Sequence, residues 1–202
     1  MELPGSSDGA VIPIRRSFFR RDPVLCAREL IGCSLGLGVT HGIIVETEAY
    51  AADGDPACHT WKRPSARRFV EENDPGSAYV YLNYGMHWLF NFLVKGGERD
   101  GFVLVRALQP TEGLTLMKER RGGCGPMQLC NGPAKLTQAL GISSIHHGGG
   151  PFGGNAGSGE WILTEGSVPT GTVVSTRIGI SQAKEFPWRF LAEESPFASV
   201  PA

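Results

Sequence analysis

The stretch "GIIVETEAYAADGDPACHTW", residues 42–61, places two carboxylates directly after an apolar run. The β-branched residues at its start predict a buried strand. Because alternate residues of a strand share a face, Glu46, Glu48 and Tyr50 are expected to lie on the same face as Ile44. A carboxylate is rarely buried unless it has a partner or a function. The pattern therefore makes this strand the first candidate for a functional site.

The segments on either side of this strand, which is predicted at about 42–50, carry helix and loop signals. Upstream, Asp22 is a suitable N-cap, Pro23 suits the first helical position and Gly32 can end the helix. Downstream, the polar stretch at 51–76 is too long for a simple turn. It is therefore either a functional loop or a segment that carries a short helix.

A β-hairpin is predicted by "SAYVYLNYGMHWLFNFLVKGG", residues 77–97. The two strands flank a turn signal at 83–86, where Gly85 can take a positive φ. A further strand, "GFVLVRALQP" at 101–110, carries Arg106 inside an apolar run. The remaining predicted elements are helices at about 111–121 and 131–142, a glycine-rich loop at 143–160, and short strands around 161–164 and 172–180.

These elements predict an α+β (mixed α/β) fold with a single domain. It is built on an antiparallel or mixed sheet with helices and a protruding β-hairpin. The chain has 202 residues and is 41% hydrophobic, which is enough to bury a substantial core. The domain is expected at residues 13–202, and residues 1–12 are expected to be a disordered extension. No GxGxxG or GxxxxGKS/T motif follows a strand, so dinucleotide-binding and P-loop functions have no support.

The overall charge of −1 supplies no global positive field for nucleic acid. Basic residues nonetheless cluster at 15–21, 61–68 and 118–121, either as solvated faces or as a surface that follows phosphates. The five cysteines are odd in number and lack CxxC spacing. With no signal peptide, this indicates reduced thiols in a cytosolic protein and argues against a zinc site. No apolar run reaches transmembrane length, so no membrane association is expected.

Two charged side chains could carry chemistry. Glu48 ends an apolar strand beside an aromatic residue, which suits a general base. The alternative is a salt-bridged carboxylate at a sheet edge. Arg106 is expected to be buried and therefore paired with a carboxylate. Such a pair could also hold a water molecule, or it could be purely structural.

Ring and amide side chains indicate a pocket for a flat ligand. Tyr50 and His59 could sandwich a planar group, although a lone histidine is more often structural. Asn91 could line a pocket or bond to neighbouring backbone. Tyr84, in the hairpin turn, could be a wedge that unstacks bases or could fold back onto the hairpin. Together these residues suit an enzyme that flips a base out of a duplex and hydrolyses its glycosidic bond.

The chain resembles the alkyladenine (3-methyladenine) DNA glycosylases, the monofunctional base-excision repair enzymes that lack a helix-hairpin-helix motif. The resemblance extends from about residue 13 to 200 in order and spacing. The segments that carry it are "IVETEAY" (44–50), the His nine residues after that Tyr, "YVYLNYGMHWLFN" (79–91), "VLVRALQP" (103–110), "LCNGPAKLTQALGI" (129–142) and "RIGI" (177–180).

The resemblance implies roles for three catalytic groups. Glu48, the second Glu of "ETEAY", corresponds to the general base that activates the attacking water. Arg106 corresponds to its partner in holding that water, and the backbone carbonyl of Ile178 is a third contact. Glu46 has no role implied, and we expect at most that it pairs with a nearby arginine.

The resemblance also implies a base pocket. Tyr50 and His59 correspond to the two faces of a sandwich that Tyr81 closes edge-on. The backbone at Ala57 and His59 would contact the edge of the flipped base. Asn91 corresponds to the residue that clashes with the exocyclic amino group of guanine.

DNA contacts are expected on the hairpin and on two basic segments. The resemblance makes Tyr84 the wedge that fills the gap left by the flipped nucleotide. The helix start at Gly132 and Pro133 is a candidate phosphate contact by the helix N-terminus argument. The full set of expected DNA-contacting residues is Tyr84, Gly85, Met86, Arg67, Arg68, Gly132 and Lys135.

The implied partner is double-stranded DNA with a damaged purine, and the implied substrates are alkylated purines, with hypoxanthine and etheno-adenine accepted by some members. No metal or cofactor is implied. A cytoplasmic monomer without lyase activity is expected, since no lysine is expected in the pocket. The chain departs from the family in "SARRFVEENDPG" (65–76), in its glycine-rich segment and in its low charge.

Two other classes of protein compete with a DNA glycosylase. A damage-binding protein without turnover, or an RNA-binding relative with the same fold, would not need Glu48. A hydrolase of free nucleosides would not need a hairpin wedge or basic loops. The joint presence of Glu48, Arg106, Tyr84 and Asn91 favours the DNA enzyme.

Overall fold

The computed structural model describes residues 12–153, 159–166 and 171–201. The predicted extension at 1–12 lies, apart from Ile12, outside the described residues, as does part of the glycine-rich segment. The α-helices of the described residues are α1 (Pro23–Glu29), α2 (His59–Lys62), α3 (Pro64–Glu72), α4 (Leu114–Arg120) and α5 (Pro133–Leu140). Short 3₁₀ helices lie at Arg16–Phe19, Pro126–Gln128 and Ser144–His146.

Strands make up the centre of the domain. They are β1 (Ser34–Leu37), β2 (Thr40–Ala51), β3 (Ala78–Asn83), β4 (His87–Val94), β5 (Gly101–Glu112), β6 (Trp161–Thr164), β7 (Thr172–Ser175) and β8 (Arg189–Ala192). The strands run in the order β3-β4-β5-β2-β1-β6, while β8 pairs with β2 and β7 pairs with β8. Every one of these strand pairs is antiparallel. The predicted α+β single domain with an antiparallel sheet is confirmed.

β2 is the central strand and the one that carries the candidate carboxylates. Along its whole length it pairs with β5, and on its other edge it pairs first with β1 and then with β8. A strand with partners on both edges has its backbone polar groups satisfied, so it can be fully buried. Glu46 and Glu48 lie inside the domain. Of the alternative reading of Glu48, a salt-bridged carboxylate at a sheet edge, the edge position is wrong, but a salt bridge to Arg106 is present.

One prediction about β2 is wrong. Ile44 was expected on the face of Glu46, but it packs in the main core together with Ala49. The register shifts between Ile44 and Glu46 and again before Thr47, so the strand contains a bulge. Because a bulge inserts one extra residue, it reverses which side chains point to which face.

The sheet is covered on both faces. The main core packs α1, α4 and α5 against one face, through side chains such as Leu30, Met117 and Leu136. A second cluster joins Phe69 and Val70 of α3 to residues of β3, β4 and β5 on the other face. Alternation along β4 sends successive residues to the two clusters. The candidate site lies beside the second cluster.

The helix ends follow local chemistry. The Asp22 side chain accepts hydrogen bonds from the backbone N–H groups of Val24 (2.8 Å) and Leu25 (3.4 Å), so the predicted cap of α1 is confirmed. Gly141 ends α5 with a φ of 81°, as predicted. Among the described helices, none is long and apolar enough to cross a membrane.

Two element boundaries differ clearly from the predictions. The helix expected from about residue 111 begins at Leu114, because β5 continues to Glu112 and Gly113 adopts a φ of 69°. The strand expected at 172–180 ends at Ser175. The stretch at 51–76 carries two short helices, α2 and α3, so the helical alternative for it is confirmed. β1 and β8 were not predicted.

Candidate active site

A cavity of about 400 Å³ opens at the base of the β3–β4 hairpin. It brings together most of the residues that the sequence singles out for substrate and catalysis. Those lining it are Tyr50, Ala57, His59, Tyr81, Tyr84, Asn91, Arg106 and Ile178. Phe102, Leu104 and Leu89 add apolar wall, so the cavity has the mixed aromatic and polar lining of a ligand site.

Glu48 lies directly behind this wall with 0% of its surface exposed. Its Oε1 accepts a hydrogen bond from the backbone N–H of Ile178 at 2.7 Å and lies 3.2 Å from Nη1 of Arg106. Its Oε2 accepts a hydrogen bond from the Tyr50 hydroxyl at 2.7 Å. Each carboxylate oxygen offers about two acceptor sites, so Oε2 can still accept a proton donor such as water. All three neighbours of the carboxylate line the cavity.

Arg106 is held in place by both carboxylates of β2. Its Nε donates to Glu46 Oε1 at 2.9 Å, and its Nη1 faces Glu48. Burial alone would lower the pKa of Arg106, but the adjacent Glu48 and Glu46 carboxylates raise it overall. The predicted pairing of this arginine with a carboxylate is confirmed, and it involves two carboxylates rather than one.

Glu46 is fully buried, and among its polar partners in the described residues Arg106 is the one that lines the cavity. Its Oε1 also accepts from Nε of Arg189 at 2.8 Å and from the Ser199 hydroxyl at 2.9 Å, and its Oε2 accepts from the Ser199 backbone N–H at 2.6 Å. The expectation that Glu46 pairs with an arginine is confirmed. Arg189 and Ser199 were missed, because nothing near either residue in the sequence signals a partner more than 140 residues earlier.

Tyr50 is fixed from behind by a guanidinium. The Cζ of Arg177 lies 4.6 Å from the centre of the Tyr50 ring, within cation–π range. Burial, followed by the charge of Glu48, raises the pKa of Tyr50 well above its ordinary value. The phenol therefore stays protonated at neutral pH and can donate its proton to Glu48.

Arg177 also anchors the loop that leads to His59. It forms a two-pronged ion pair with Asp55, with distances of 2.6 and 2.9 Å, and both side chains are buried. The Oδ1 of Asp55 accepts from the backbone N–H of Ala57 at 3.0 Å. Sequence reasoning missed this pair, although a carboxylate in a short loop beside two candidate site residues was a signal.

His59 begins α2 and is neutral at physiological pH. Burial, with a smaller contribution from the charge of Arg63, lowers the pKa of His59 from 6.5 to about 4. Its Nδ1 lies 3.1 Å from the Tyr79 hydroxyl, and its ring centre lies 4.3 Å from that of Tyr81. These contacts fix the imidazole plane against the cavity wall.

Asn91 combines both of the roles that the sequence left open. It lines the cavity and is 4% exposed. Its Nδ2 donates to the backbone carbonyl of Tyr79 at 3.1 Å. The bond to the adjacent strand fixes the amide, so a rigid polar group lies in the cavity wall.

The hairpin tip projects into solvent. Tyr84 is 85% exposed, so the alternative that it folds back onto the hairpin is wrong. Its φ is 49° and that of Gly85 is 70°, while Met86 is 71% exposed. A bulky residue at positive φ is uncommon, and such conformations persist only where the surrounding structure imposes them.

The candidate DNA contacts on the two basic segments are distributed over different surfaces. Arg67 lines a separate groove with Trp61 on the α2–α3 segment, and Arg68 is exposed. Gly132 is the N-cap of α5, and the Nζ of half-buried Lys135 donates to Asn131 Oδ1 at 2.9 Å.

Two basic residues that were not singled out, Lys62 and Arg63, line the cavity itself. The expectation of a pocket without lysine is therefore wrong, since α2 ends at the cavity rim with Lys62 exposed. In the described parts of the chain, no group of three or more His, Cys, Asp or Glu side chains could hold a metal ion.

The geometry suits hydrolysis of a bond to a planar heterocycle. Rings from Tyr50, His59 and Tyr81 form apolar walls, while Glu48 and Arg106 lie at the inner end. A carboxylate that keeps an acceptor site free can orient and deprotonate a water molecule. The exposed hairpin tip stands at the entrance.

Comparison with known proteins identifies this arrangement. A family model described as methylpurine-DNA glycosylase matches residues 17–196. A protein of Rhodopseudomonas palustris named as a 3-methyladenine DNA glycosylase is 43% identical over 193 residues, which cover 94% of this chain and 91% of the relative. Relatives of the same name from Nitrosospira multiformis and Chlorobaculum tepidum are 40% and 38% identical, covering 91% and 90% of this chain and 92% and 88% of their own lengths.

These matches define a DNA glycosylase, a hydrolase that cleaves N-glycosyl bonds in DNA repair. More narrowly, the chain belongs to the methylpurine-DNA glycosylase family. The resemblance to the alkyladenine DNA glycosylases is thereby confirmed.

Proposed function

We propose that this glycosylase is monofunctional and acts on alkylated purines in duplex DNA. The damaged nucleotide rotates out of the helix into the cavity, and a water activated by Glu48 hydrolyses the bond between base and deoxyribose. The observation that carries this proposal is the position of the Glu48 carboxylate, which is fully buried yet surrounded by three groups that line the cavity.

The chemical step needs few catalytic groups. The water gives a proton to Glu48 and its oxygen attacks the anomeric carbon, while the bonding electrons leave with the purine. A purine alkylated at a ring nitrogen is cationic, so it departs as a neutral base without further protonation. The enzyme then contributes by positioning the water and excluding bulk solvent.

The cavity walls suit a flipped purine. The free face of the Tyr50 ring and the imidazole of His59 would stack on the base, and Tyr81 would contact its edge. Stacking on flat side chains is the usual way that enzymes hold an extruded base. Rigidly held Asn91 would exclude guanine by colliding with its exocyclic amino group.

The hairpin tip would act as the wedge. Tyr84 would enter the stack in place of the flipped nucleotide, with Gly85 and Met86 beside it, and minor-groove proteins use apolar wedges in the same way. Lys135, Arg67, Arg68 and the start of α5 at Gly132 are candidate phosphate contacts. If Lys135 neutralises a phosphate, Lys135→Ala will reduce the slope of log affinity against log salt by about 1.

Lyase chemistry is not part of the proposal. Lys62 is exposed at the cavity rim and lacks the apolar burial that activates lysines for Schiff-base formation. Borohydride added during turnover should therefore trap no covalent enzyme–DNA adduct. A trapped adduct that Lys62→Ala removed would overturn the monofunctional assignment.

The decisive experiment uses duplex DNA with a single 7-methylguanine or hypoxanthine. Alkali converts each abasic site into a strand break, which measures base release. Glu48→Gln should bind the lesion as the wild type does and release no base. Glu119→Gln, which changes an exposed carboxylate on α4, is the matched control and should remain active. Full activity of Glu48→Gln would contradict the proposed activation of water by Glu48.

A further inference from the structure

The C-terminal segment at residues 195–201 reaches the inner end of the active site. Ser199 lies beyond residue 196, where the match to the family ends. It is half-buried, and its backbone N–H and its hydroxyl both bond to Glu46. The chain therefore returns from its last strand to the fully buried carboxylate that holds Arg106.

The Ser199 hydroxyl is a link between Arg106 and Glu46. It accepts a hydrogen bond from Nη2 of Arg106 at 3.3 Å and donates its own proton to Glu46 Oε1 at 2.9 Å. Because a hydroxyl has a single proton, these two bonds fix its direction. Arg106 thus reaches Glu46 directly through Nε and indirectly through Nη2.

This link decides how the guanidinium is turned. An arginine edge with Nε and one Nη commonly pairs with both oxygens of a carboxylate. Here the hydroxyl occupies the place of the second direct bond, and Glu46 Oε2 accepts from the Ser199 N–H instead. The remaining nitrogen, Nη1, is left 3.2 Å from Glu48 Oε1.

A second arginine holds the segment in place. Arg189 of β8 donates from Nε to Glu46 at 2.8 Å and from Nη2 to the backbone carbonyl of Val200. Glu46 and Glu48 together carry two negative charges, which the two arginines balance. The segment is therefore bonded to these charged side chains at Ser199 and at Val200.

We propose that Ser199 is a positioning residue for the glycosylase reaction, acting through Arg106 and Glu46 on Glu48. The C-terminal segment would complete the active site from behind, without touching substrate. Without the hydroxyl, Nη2 of Arg106 loses an acceptor and the guanidinium turns toward Glu46 Oε2, so Nη1 leaves Glu48. The inference rests on the proposed role of Glu48.

Single-turnover base release from duplex DNA containing 7-methylguanine tests this role, with each variant assayed well below its melting temperature. Ser199→Ala keeps the backbone N–H and should lower the maximal rate about tenfold, equivalent to about 1.4 kcal/mol of transition-state stabilisation. The enzyme concentration that gives half the maximal rate should not change, since Ser199 does not line the cavity. Ser199→Thr restores the hydroxyl and should restore the rate.

Ser195→Ala is the matched control. Ser195 lies in the same segment, and among the described residues its hydroxyl has one hydrogen-bond partner, the backbone N–H of Phe197. A wild-type rate for Ser199→Ala, an equal loss in Ser195→Ala, or failure of Ser199→Thr to recover would each overturn the inference. Glu48→Gln separates the two proposals: if it stays active, the proposed function fails; if it is inactive while Ser199→Ala is normal, only the role of Ser199 fails.

Discussion

The hydroxyl of Tyr50 lies 2.7 Å from Oε2 of Glu48, two residues earlier on the same strand. One side chain therefore contributes in two ways, with its ring to the cavity wall and its hydroxyl to the carboxylate. Arg177 covers the rear of the ring at 4.6 Å, which leaves the opposite ring face for a ligand. Tyr50, which is proposed to stack on the purine, therefore also orients Glu48, the proposed general base.

Tyr50→Phe tests this coupling. The ring and its stacking face are retained, but Glu48 Oε2 loses a donor that fixes its direction. We expect the single-turnover rate to fall roughly 10- to 150-fold, since a hydrogen bond to a charged group is worth roughly 1.5–3 kcal/mol, with lesion affinity little changed. Tyr50→Ala should in addition weaken binding. Equal binding losses in the two variants would contradict a separate role for the hydroxyl.

Tyr84→Ala tests the hairpin wedge. The preference for lesion over undamaged duplex should weaken by about 1–3 kcal/mol, the scale of one lost stacking contact. Competition binding with matched duplexes measures it. Val39→Ala is a suitable control because Val39 is also apolar and 68% exposed, but lies in the β1–β2 turn and not at the cavity. An unchanged preference in Tyr84→Ala would exclude the wedge.

The lesion itself provides another test. No Asp or Glu lines the cavity among the described residues, so no carboxylic acid there could protonate a neutral leaving base. Cationic 3-methyladenine or 7-methylguanine should therefore be released faster than hypoxanthine in single-turnover assays. Equal rates would show that another group protonates the neutral leaving base.

Asp55→Asn tests the anchor of the loop before His59. Removing one partner of a buried ion pair leaves an unpaired charge and should reduce the free energy of unfolding by about 3–5 kcal/mol. Denaturant unfolding measures this loss. The pair between Arg16 and Asp74 is a matched contrast, since Asp74 is largely exposed and Asp74→Asn should cost at most about 1 kcal/mol. Similar losses in the two variants would argue against the structural importance of Asp55.

His59 should make stability depend on pH. The pKa of His59 falls from 6.5 to about 4 on folding, so between these values the unfolded chain binds a proton that the folded protein does not. Stability contributed by the neutral ring is therefore present above pH 6.5 and is lost as pH falls toward 4.

The difference in unfolding free energy between the wild type and His59→Gln measures this contribution. At pH 5 the stability advantage of the wild type over His59→Gln should be about 1 kcal/mol smaller than at pH 7.5. This figure allows for solvent screening of a half-buried ring. The exposed His87 provides the comparison variant, His87→Gln. A difference for His59→Gln that did not change with pH would contradict the burial of this imidazole.

Local patterns in the sequence predicted much of the fold. The cap at Asp22, the glycine after α5 and the hairpin around Gly85 are all confirmed, because each depends on backbone preferences within a few residues. The central strand was found by its apolar run. What local pattern could not give was the bulge after Ile44, since a shift of register depends on the partner strand and not on the strand itself.

The candidate site also combines features that the sequence predicted with features that it did not. The residue types at Glu48, Tyr50, His59 and Arg106, with their family resemblance, were enough to predict that these side chains share one cavity. The sequence alone thus determined the class of enzyme and many of the residues around the pocket, but not Lys62 and Arg63 at its rim. It left Glu46 without a function.

Only the tertiary structure brought Arg189 and Ser199 to Glu46, and Arg177 to Asp55. The partners in these contacts are separated by 122 to 153 residues. Strand pairing and the return of the C-terminal segment bring these partners together. The residues next to them in the sequence do not predict these contacts. Buried charges need partners wherever the fold supplies them, so the sequence could predict that Glu46 would be paired, but only the fold decided with which residues.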